Sequence, residues 1–342
     1  MSLRYIEKLP RPEEIAEQIP VTAAVKQLKQ DRDNEIKKIF TGESDKFILI
    51  IGPCSADNEK AVLDYMGRLS KLQDKVSDKI FMIPRIYTNK PRTTGEGYKG
   101  MVHQPDPEKR SNMVAGIKAI RNLHIRAAET SGFTCADEML YPENYAYLDD
   151  ILSYVAIGAR SVENQQHRLA CSGLNIPVGM KNPTSGDISV MLNAIRAAQI
   201  KHSFIFRGFE AETDGNPLAH SIMRGFVDQY GRNFPNYHYE DLLHLIQAYN
   251  DRGLEYPSII LDTNHANSNK VYTEQPRIAH EIIRNMNYDP IIKKHVKGLM
   301  IESYIEGGRQ EIGNGTYGQS ITDPCLSFVE TEKMVLEMAE KL

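Results

Sequence analysis

The chain has 342 residues, of which 41% are hydrophobic and 25% charged, and its formal net charge is −4. These values are typical of a globular protein with one large domain or two ordinary ones, and they exclude a broad nucleic-acid-binding surface. The N-terminus is polar and no apolar run is long enough to cross a membrane, so we predict a cytoplasmic protein without nucleic-acid or membrane partners.

The cysteines give a second constraint on the compartment. They are far apart and show no CxxC spacing: Cys54, Cys135, Cys171 and Cys325. In a reducing cytoplasm they are predicted to be free thiols or metal ligands.

Residues 1–45 are predicted to be an extension that precedes the first strong strand. Three prolines interrupt its first 20 residues, and the segment from Val21 to Phe40 has apolar side chains at helical spacing. The extension is too broken to fold alone. We therefore predict that it makes oligomer or regulatory contacts, and that residues 46–342 form the main domain.

Short apolar runs, alternating with helical segments, recur along the main domain. Unbroken runs of this length are typical of strands buried on both faces of a parallel sheet. Eight such units in about 300 residues predict a (β/α)₈ TIM barrel, with a doubly wound sheet as the structural alternative. The predicted strands are Phe47–Ile51, Ile80–Ile83, Phe133–Ala136, Val155–Ile157, Pro177–Met180, His220–Met223, Ser258–Leu261 and Leu299–Ile301.

Most segments between the strands are predicted to be helices. Asp106 and Pro107 have the residue types that begin a long helix, and Tyr145–Leu152 is predicted to be a short one. One segment departs from the alternation: Ser203–Gly215, with a turn at Asp214–Gly215, is predicted to be a β-hairpin inserted before the sixth strand.

The loop after the second strand contains Gly95–Gly100, which matches the pattern GxGxxG. A dinucleotide-binding fingerprint must lie directly between a strand and a helix. Here Pro105 and Pro107 intervene, so we interpret the segment as a pliable loop.

A functional side chain follows each of the eight predicted strands, and in a barrel all these strand ends meet around one mouth. Any one of them alone could be a helix cap or a salt-bridge partner. Their recurrence after eight consecutive strands, which a doubly wound sheet does not explain, predicts a single site. The residues are Cys54, Arg85, Glu138, Arg160, Lys181, Arg224, His265 and Glu302.

Six cations are predicted to share this mouth, three of them within the segment Arg85–Thr94. Burying several cations together is costly unless anions neutralise them. Guanidinium and ammonium groups bind phosphate and carboxylate well, so the sequence predicts small ligands with several negative charges. The cations are Arg85, Lys90, Arg92, Arg160, Lys181 and Arg224.

Four residues are candidate metal ligands: Cys54, His265, Glu302 and Asp323. One sulfur, one nitrogen and two carboxylates suit a divalent ion such as Mn²⁺, Fe²⁺, Co²⁺ or Zn²⁺. An inert core thiol is the alternative for Cys54. Its position directly after a strand, in Gly-Pro-Cys-Ser, favours a ligand.

Several motifs together resemble the signature of type I, alpha-subclass 3-deoxy-D-arabino-heptulosonate 7-phosphate (DAHP) synthases. The resemblance extends from about Leu3 to the last helix. It implies condensation of phosphoenolpyruvate with D-erythrose 4-phosphate, the first step of the shikimate pathway. The motifs are Gly52-Pro53-Cys54-Ser55, Lys90-Pro91-Arg92-Thr93-Thr94, Gly158-Ala159-Arg160, Pro177-Val178-Gly179-Met180-Lys181-Asn182, His265-Ala266-Asn267-Ser268 and Ser320-Ile321-Thr322-Asp323.

The resemblance also implies roles for individual residues. The metal ligands would be Cys54, His265, Glu302 and Asp323. Phosphoenolpyruvate would be bound by Arg85, Lys90, Arg160, Lys181 and Arg224, with Glu138 near the attacking water. Erythrose 4-phosphate would be bound by Arg92, Thr93 and Asp323. One departure is Asp262-Thr263-Asn264 before His265, where many relatives have a serine directly before the histidine.

This assignment predicts a mechanism in which carbon 3 of phosphoenolpyruvate attacks the aldehyde while water adds at carbon 2. The metal would act as a Lewis acid on the aldehyde oxygen. Lys90 is the candidate proton donor to that oxygen, and we expect neighbouring cations to lower its pKa. Catalytic roles are thus expected for Lys90, Cys54, His265 and Glu138.

Two alternatives remain open from the sequence. 3-Deoxy-D-manno-octulosonate 8-phosphate synthases share the barrel, the metal and phosphoenolpyruvate, but resemble this chain less after Lys90. The other alternative is a non-catalytic paralogue that binds ligands. Relatives use the N-terminal segment to pack across subunits, so the resemblance also implies a homodimer or homotetramer.

Feedback control is a further implication of the resemblance. Inhibited relatives bind an aromatic amino acid between the hairpin, the barrel flank and a neighbour's N-terminus. This chain keeps Phe204 and Leu174 but lacks the acidic pair before Leu3-Arg4 that phenylalanine-sensitive members carry. The ammonium group of the inhibitor therefore loses an anionic partner, and we expect weak or absent inhibition by phenylalanine.

Overall fold

The computed structural model describes residues 2–342 of the chain, and its main feature is an eight-stranded, all-parallel sheet. The barrel strands are β1 (Phe47–Gly52), β2 (Ile80–Pro84), β3 (Ala136–Glu138), β4 (Tyr154–Ile157), β5 (Val178–Lys181), β8 (Ala219–Met223), β11 (Ile259–Asp262) and β12 (Val296–Glu302). Two short antiparallel hairpins are formed by β6 (His202–Phe206) with β7 (Phe209–Thr213), and by β9 (Phe226–Val227) with β10 (Asn233–Phe234).

Helices connect the barrel strands and cover their outer surface. They are α1 (Pro12–Gln18), α2 (Ala23–Thr41), α3 (Glu59–Val76), α4 (Met113–Ser131), α5 (Pro142–Tyr145), α6 (Gln165–Cys171), α7 (Ile188–Gln199), α8 (Tyr239–Asp251), α9 (Gln275–Tyr288), α10 (Pro290–His295) and α11 (Phe328–Lys341), with a 3₁₀ turn at Tyr272–Glu274. None of these helices in residues 2–342 is long and apolar enough to span a membrane.

The sheet closes into a barrel between β2 and β3. Their strand order places them at opposite ends of the sheet, and a parallel bridge between Arg85 and Ala136 joins the two ends. The Ile86 amide donates to the Ala136 carbonyl at 2.9 Å. The predicted TIM barrel is confirmed, and the inserted hairpin β6–β7 does precede the sixth barrel strand, although β3 begins at Ala136 rather than Phe133.

Strand β1 shows why continuous apolar runs form this barrel. Leu49 and Ile51 belong to the outer core under the helices, whereas Ile48 and Ile50 belong to the inner core. All four are fully buried. Because side chains alternate between the two faces, a strand buried on both sides needs apolar residues at every position.

The second helix of the extension closes one end of the barrel. Ile36, Ile39 and Phe40 of α2 are buried in the same cluster as the inward side chains Ile48 and Ile50. The extension is therefore partly a component of the barrel core. Its predicted role in subunit contacts stays a prediction.

The prediction for the start of α4 is wrong. Asp106 and Pro107 form a local turn in which the Asp106 carboxylate accepts from the Glu108 amide at 3.1 Å. The helix begins only at Met113 and is capped by the Asn112 side chain. The same residue types favour turns and helix starts, and the neighbouring loop decides between them.

Three further details also differ from the sequence predictions. The first part of the extension contains a short helix, α1. Pro12 begins this helix and does not interrupt it, because the first helical position needs no N–H donor. The predicted helix Tyr145–Leu152 is absent: Tyr145 is the last residue of α5, and residues 146–151 form a series of turns. The hairpin turns at Arg207–Gly208, where both residues have positive φ, and not at Asp214–Gly215.

His220 lies inside the barrel, against the Phe40 ring at 4.4 Å between centroids. Its Nδ1 lies 2.9 Å from the Leu218 carbonyl and its Nε2 lies 2.8 Å from the Tyr154 hydroxyl. A carbonyl can only accept, so Nδ1 carries a proton and donates it to Leu218. Burial lowers the pKa of His220 to about 4.

This burial predicts an acid-sensitive contribution to stability. Between pH 6.5 and 4 the unfolded chain binds a proton at residue 220 that the folded chain excludes, so stability falls as pH falls. Between pH 7 and pH 4.5 the native protein should lose about 2–3 kcal/mol of unfolding free energy at this residue. A His220→Gln variant should not lose this contribution. Urea unfolding at the two pH values measures this, and parallel stability curves would contradict it.

Candidate active site

Three of the four predicted metal ligands converge at the barrel mouth. Cys54 follows β1, Glu302 ends β12 and Asp323 lies in the loop before α11, and their ligand atoms lie within 4.8 Å of one another. Gly52, at the end of β1, lets the Arg85 segment approach closely, because a Cβ there would come 2.4 Å from the Arg85 carbonyl oxygen. Cys54 and Glu302 are buried, and Asp323 is more open.

Lys90 supplies positive charge to this group. Its ammonium donates hydrogen bonds to the Cys54 sulfur and to the Asp323 carboxylate, the latter at 3.2 Å. Burial works to lower the pKa of Lys90, but Cys54, Asp323 and Glu302 outweigh it and the pKa is raised. The prediction that neighbouring cations lower this pKa is wrong, because the neighbours that dominate it are the acidic groups Cys54, Asp323 and Glu302.

The pKa values of Asp323 and Cys54, which contact this lysine, are shifted as well. Lys90 is the main cause that holds the pKa of Asp323 below its usual range, against the effect of burial, and His265 adds to the lowering. Burial, reinforced by Glu302, raises the pKa of the Cys54 thiol to about 12, even though Lys90 opposes this. A cation that binds here must therefore displace the thiol proton.

His265, the fourth predicted ligand, is not part of this close group: its ring nitrogens do not lie within 4.8 Å of all three ligand atoms. Its φ is +54°, in the left-handed region that few non-glycine residues adopt. Its Nδ1 lies 2.9 Å from the Asp262 carboxylate, without hydrogen-bond alignment. The same carboxylate is 3.5 Å from the Lys181 ammonium. Burial alone would raise the pKa of Asp262, but His265, Lys181 and Arg224 outweigh it and hold the pKa well below its usual range.

Arg85 and Asn264 fix the orientation of Glu302. The Arg85 guanidinium donates to one carboxylate oxygen at 3.1 Å, and the Asn264 amide donates to the other at 2.6 Å. Arg85 also lies over the Tyr87 ring at 3.9 Å. The ion pair of Arg85 and Glu302 is fully buried, so each charge depends on the other for compensation.

The cations at the mouth retain unused hydrogen-bond donors. Nε and Nη1 of Arg85 and Nη1 of Arg224 are buried without a partner. Burial lowers the pKa of Arg224, and the positive charge of Arg160 adds to the lowering. Buried donors on a cation are costly unless an anion accepts them, so these atoms fit a phosphate or carboxylate.

The remaining predicted residues lie around this centre. The Glu138 carboxylate packs so closely on Gly158 that a Cβ there would be 2.3 Å from its oxygen. Arg92 donates to the Tyr98 carbonyl at 2.9 Å. Thr93 is exposed on the same loop. Arg92 and Thr93 are thus on the rim, apart from the buried cations.

Sequence reasoning missed the supporting role of two residues. Asp262 holds His265 and Lys181, and Asn264 holds Glu302. Asn264 is the residue directly before the predicted ligand His265, and Asp262 ends the strand. Their position at the end of β11, directly before a predicted ligand, was the available signal.

Comparison with known proteins identifies the family. A model described as the DAHP synthetase I family matches residues 18–337. The chain belongs to this family.

Relatives of the family agree with this assignment. A Trp-sensitive phospho-2-dehydro-3-deoxyheptonate aldolase of Shigella flexneri is 34% identical, over 98% of this chain and 95% of the relative. A Tyr-sensitive one of Salmonella typhimurium is 34% identical, over 97% and 92%. The structure of a phospho-2-dehydro-3-deoxyheptonate aldolase from Francisella tularensis has a TM-score of 0.91 and 31% identity, over 99% of this chain and 98% of that one.

These findings confirm the predicted family, fold and enzyme class. The chain is a DAHP synthase, the enzyme at the entry of the shikimate pathway. The 3-deoxy-D-manno-octulosonate alternative is not favoured.

Proposed function

We propose that the buried cations described above bind phosphoenolpyruvate, which this chain condenses with D-erythrose 4-phosphate and water to give DAHP and phosphate. The observation that carries this proposal is the set of unpartnered N–H groups on buried Arg85 and Arg224, next to the Cys54, Glu302 and Asp323 group. Phosphoenolpyruvate has a phosphate and a carboxylate, which match these donors. Arg160, Lys181 and Lys90 complete the proposed set.

We propose that the chain holds one divalent ion, Mn²⁺, Fe²⁺, Co²⁺ or Zn²⁺, through Cys54, His265, Glu302 and Asp323. The donor types and the clustering of three of them support this. The ammonium of Lys90 lies against two of the donors, as expected of a group that attracts positive charge. When bound, the ion would polarise the aldehyde oxygen of erythrose 4-phosphate.

The protein groups then have distinct tasks in the proposed reaction. The cations orient phosphoenolpyruvate so that its carbon 3 faces the aldehyde. Lys90, whose ammonium contacts Cys54 and Asp323 of the proposed metal site, is placed to give a proton to the aldehyde oxygen. Glu138 orients the water that adds at carbon 2, and the tetrahedral intermediate loses phosphate by C–O cleavage. Arg92, Thr93 and Asp323 would contact erythrose 4-phosphate.

The expected activity is phosphate release from phosphoenolpyruvate that depends on erythrose 4-phosphate. It should be abolished by a chelator and restored by a divalent transition metal, because the proposed ion activates the aldehyde. Arabinose 5-phosphate serves as the control substrate and should support little release. Equal use of the two sugars, or activity unaffected by chelation, would contradict the proposal.

We also propose a cytoplasmic enzyme that forms a homodimer or homotetramer. The exposed apolar side chains Leu3, Tyr5 and Ile6 of the extension support the assembly, because such residues are seldom left in solvent. A monomer in light scattering at micromolar concentration would contradict it.

Inhibition by phenylalanine is expected to be weak or absent. The N-terminus lacks the acidic pair that would compensate the ammonium group of the inhibitor, although Glu143 on α5 is exposed and carries a carboxylate. A titration at sub-saturating phosphoenolpyruvate measures this, with tyrosine and tryptophan tested in parallel. Strong inhibition by micromolar phenylalanine would show that another carboxylate replaces the pair.

A further inference from the structure

A buried carboxylate outside the reaction centre joins two of its loops. Asp137, on β3, is 4% exposed. One of its oxygens accepts from the backbone amides of Thr88 at 2.8 Å and of Glu138 at 2.7 Å. The other accepts from the Thr88 hydroxyl. Nothing in the proposed reaction uses this carboxylate directly.

The residues on either side of these hydrogen bonds belong to the proposed machinery. Glu138 follows Asp137 in β3, and Lys90 is two residues beyond Thr88 in the loop after β2. Two of the three hydrogen bonds to the carboxylate come from Thr88. The position of the Lys90 loop relative to β3 therefore depends on this contact.

The surroundings of Thr88 allow it little freedom. Its carbonyl accepts from the Val102 amide at 3.2 Å. A Cβ on Gly100 would come 2.3 Å from the same oxygen, so only glycine permits this approach. The Asn89 amide lies 3.4 Å from the Thr88 hydroxyl, and Asn144 donates to Asn89 at 3.1 Å.

The back of the carboxylate faces helix α4. His124, which is 1% exposed, has its Nε2 3.7 Å from an Asp137 oxygen, and neither ring nitrogen has a hydrogen-bond partner. The three groups that donate hydrogen bonds to the carboxylate are thus the Thr88 hydroxyl and the backbone amides of Thr88 and Glu138. A buried carboxylate that keeps three donors in place is a rigid anchor, because releasing any of them leaves it under-solvated.

We propose that Asp137 and Thr88 are positioning residues that hold the Lys90 loop in register with Glu138. This inference rests on the proposed roles of Lys90 and Glu138. Displacing a reacting group by about 1 Å can cost about 100-fold in rate. The proposed metal ligands lie on other segments, so metal content should be little affected. Phosphoenolpyruvate keeps the proposed contacts to Arg85, Arg160, Lys181 and Arg224, so its KM should rise less than kcat falls.

The test compares Thr88→Val, which keeps the shape but lacks the hydroxyl, with Thr88→Ser, which keeps the hydroxyl. For Thr88→Val we expect kcat to fall about 10- to 100-fold, with a smaller rise in the KM for phosphoenolpyruvate and full metal content. Thr88→Ser should keep kcat within about threefold of the native value. Asp137→Asn, which removes the charge at constant volume, should lower kcat at least about 10-fold.

Other results would overturn the inference. They are native kcat per metal-loaded site in Thr88→Val or Asp137→Asn, whatever their melting temperature, or loss of bound metal from either variant. If Thr88→Val does not fold, the kcat values of Asp137→Asn and Thr88→Ser test the proposal. If Lys90→Ala keeps native turnover, the proposed role of Lys90 fails instead, which separates the two conclusions.

Discussion

A Cys54→Ala variant is expected to lose nearly all turnover while its barrel remains folded. Cys54 provides the only sulfur of the close ligand group, and its ligand atom lies within 4.8 Å of those of Glu302 and Asp323. We expect metal affinity to fall at least about 100-fold, since even supporting residues of metal sites cost 10- to 100-fold. Loss of the ion removes several kcal/mol of transition-state stabilisation, so turnover should fall about 1,000-fold.

The measurements are metal content after dialysis, phosphate release and the melting temperature. Cys171→Ala is the matched control, because Cys171 is equally buried but lies at the end of α6, outside the ligand group. It should keep native metal content and kcat. Native metal content and turnover in Cys54→Ala would refute the proposed ligand.

Lys90→Ala should separate chemistry from metal binding. Lys90 donates to the Cys54 sulfur and to Asp323, but an ammonium cannot itself ligate a metal. We expect turnover to fall about 100- to 10,000-fold, the contribution usual for a general acid, with metal affinity changed far less. Since Lys90 is also a proposed phosphoenolpyruvate ligand, KM for that substrate should rise.

Metal content and single-turnover rates at saturating phosphoenolpyruvate distinguish the two effects. Lys109, whose side chain is 79% exposed and pairs with Asp106, offers a control substitution to alanine that should leave both unchanged. If metal binding and turnover fall equally in Lys90→Ala, the lysine serves the metal site and is not the proton donor.

The hairpin β6–β7 and the neighbouring flank of the barrel keep the apolar side chains expected of an inhibitor site. The hairpin packs on the end of α6, with the Thr213 hydroxyl 2.6 Å from that of Ser172. Phe204, on this hairpin, is half-buried, and Leu174 is buried in the outer core. The expected weakness of phenylalanine inhibition therefore depends on charge and not on a missing apolar surface.

The sequence by itself determined the barrel and the composition of its mouth. Continuous apolar runs such as Phe47–Ile51 specify strands buried on both faces, and eight of them close a barrel. Because every parallel strand ends at the same edge, the residue after each run could be assigned to one site without coordinates. Local boundaries were less certain, since the Asp106–Pro107 signal serves turns and helix starts alike.

Only the tertiary structure decided which of these residues touch. Lys90 and Asp323 are far apart in the chain, and their contact reverses the direction predicted for the pKa of Lys90. The same holds for Thr88 and Asp137, which the sequence does not connect. Periodicity reports the environment of one segment, whereas electrostatics and hydrogen bonding depend on distances of a few ångströms between segments that only the closed barrel brings together.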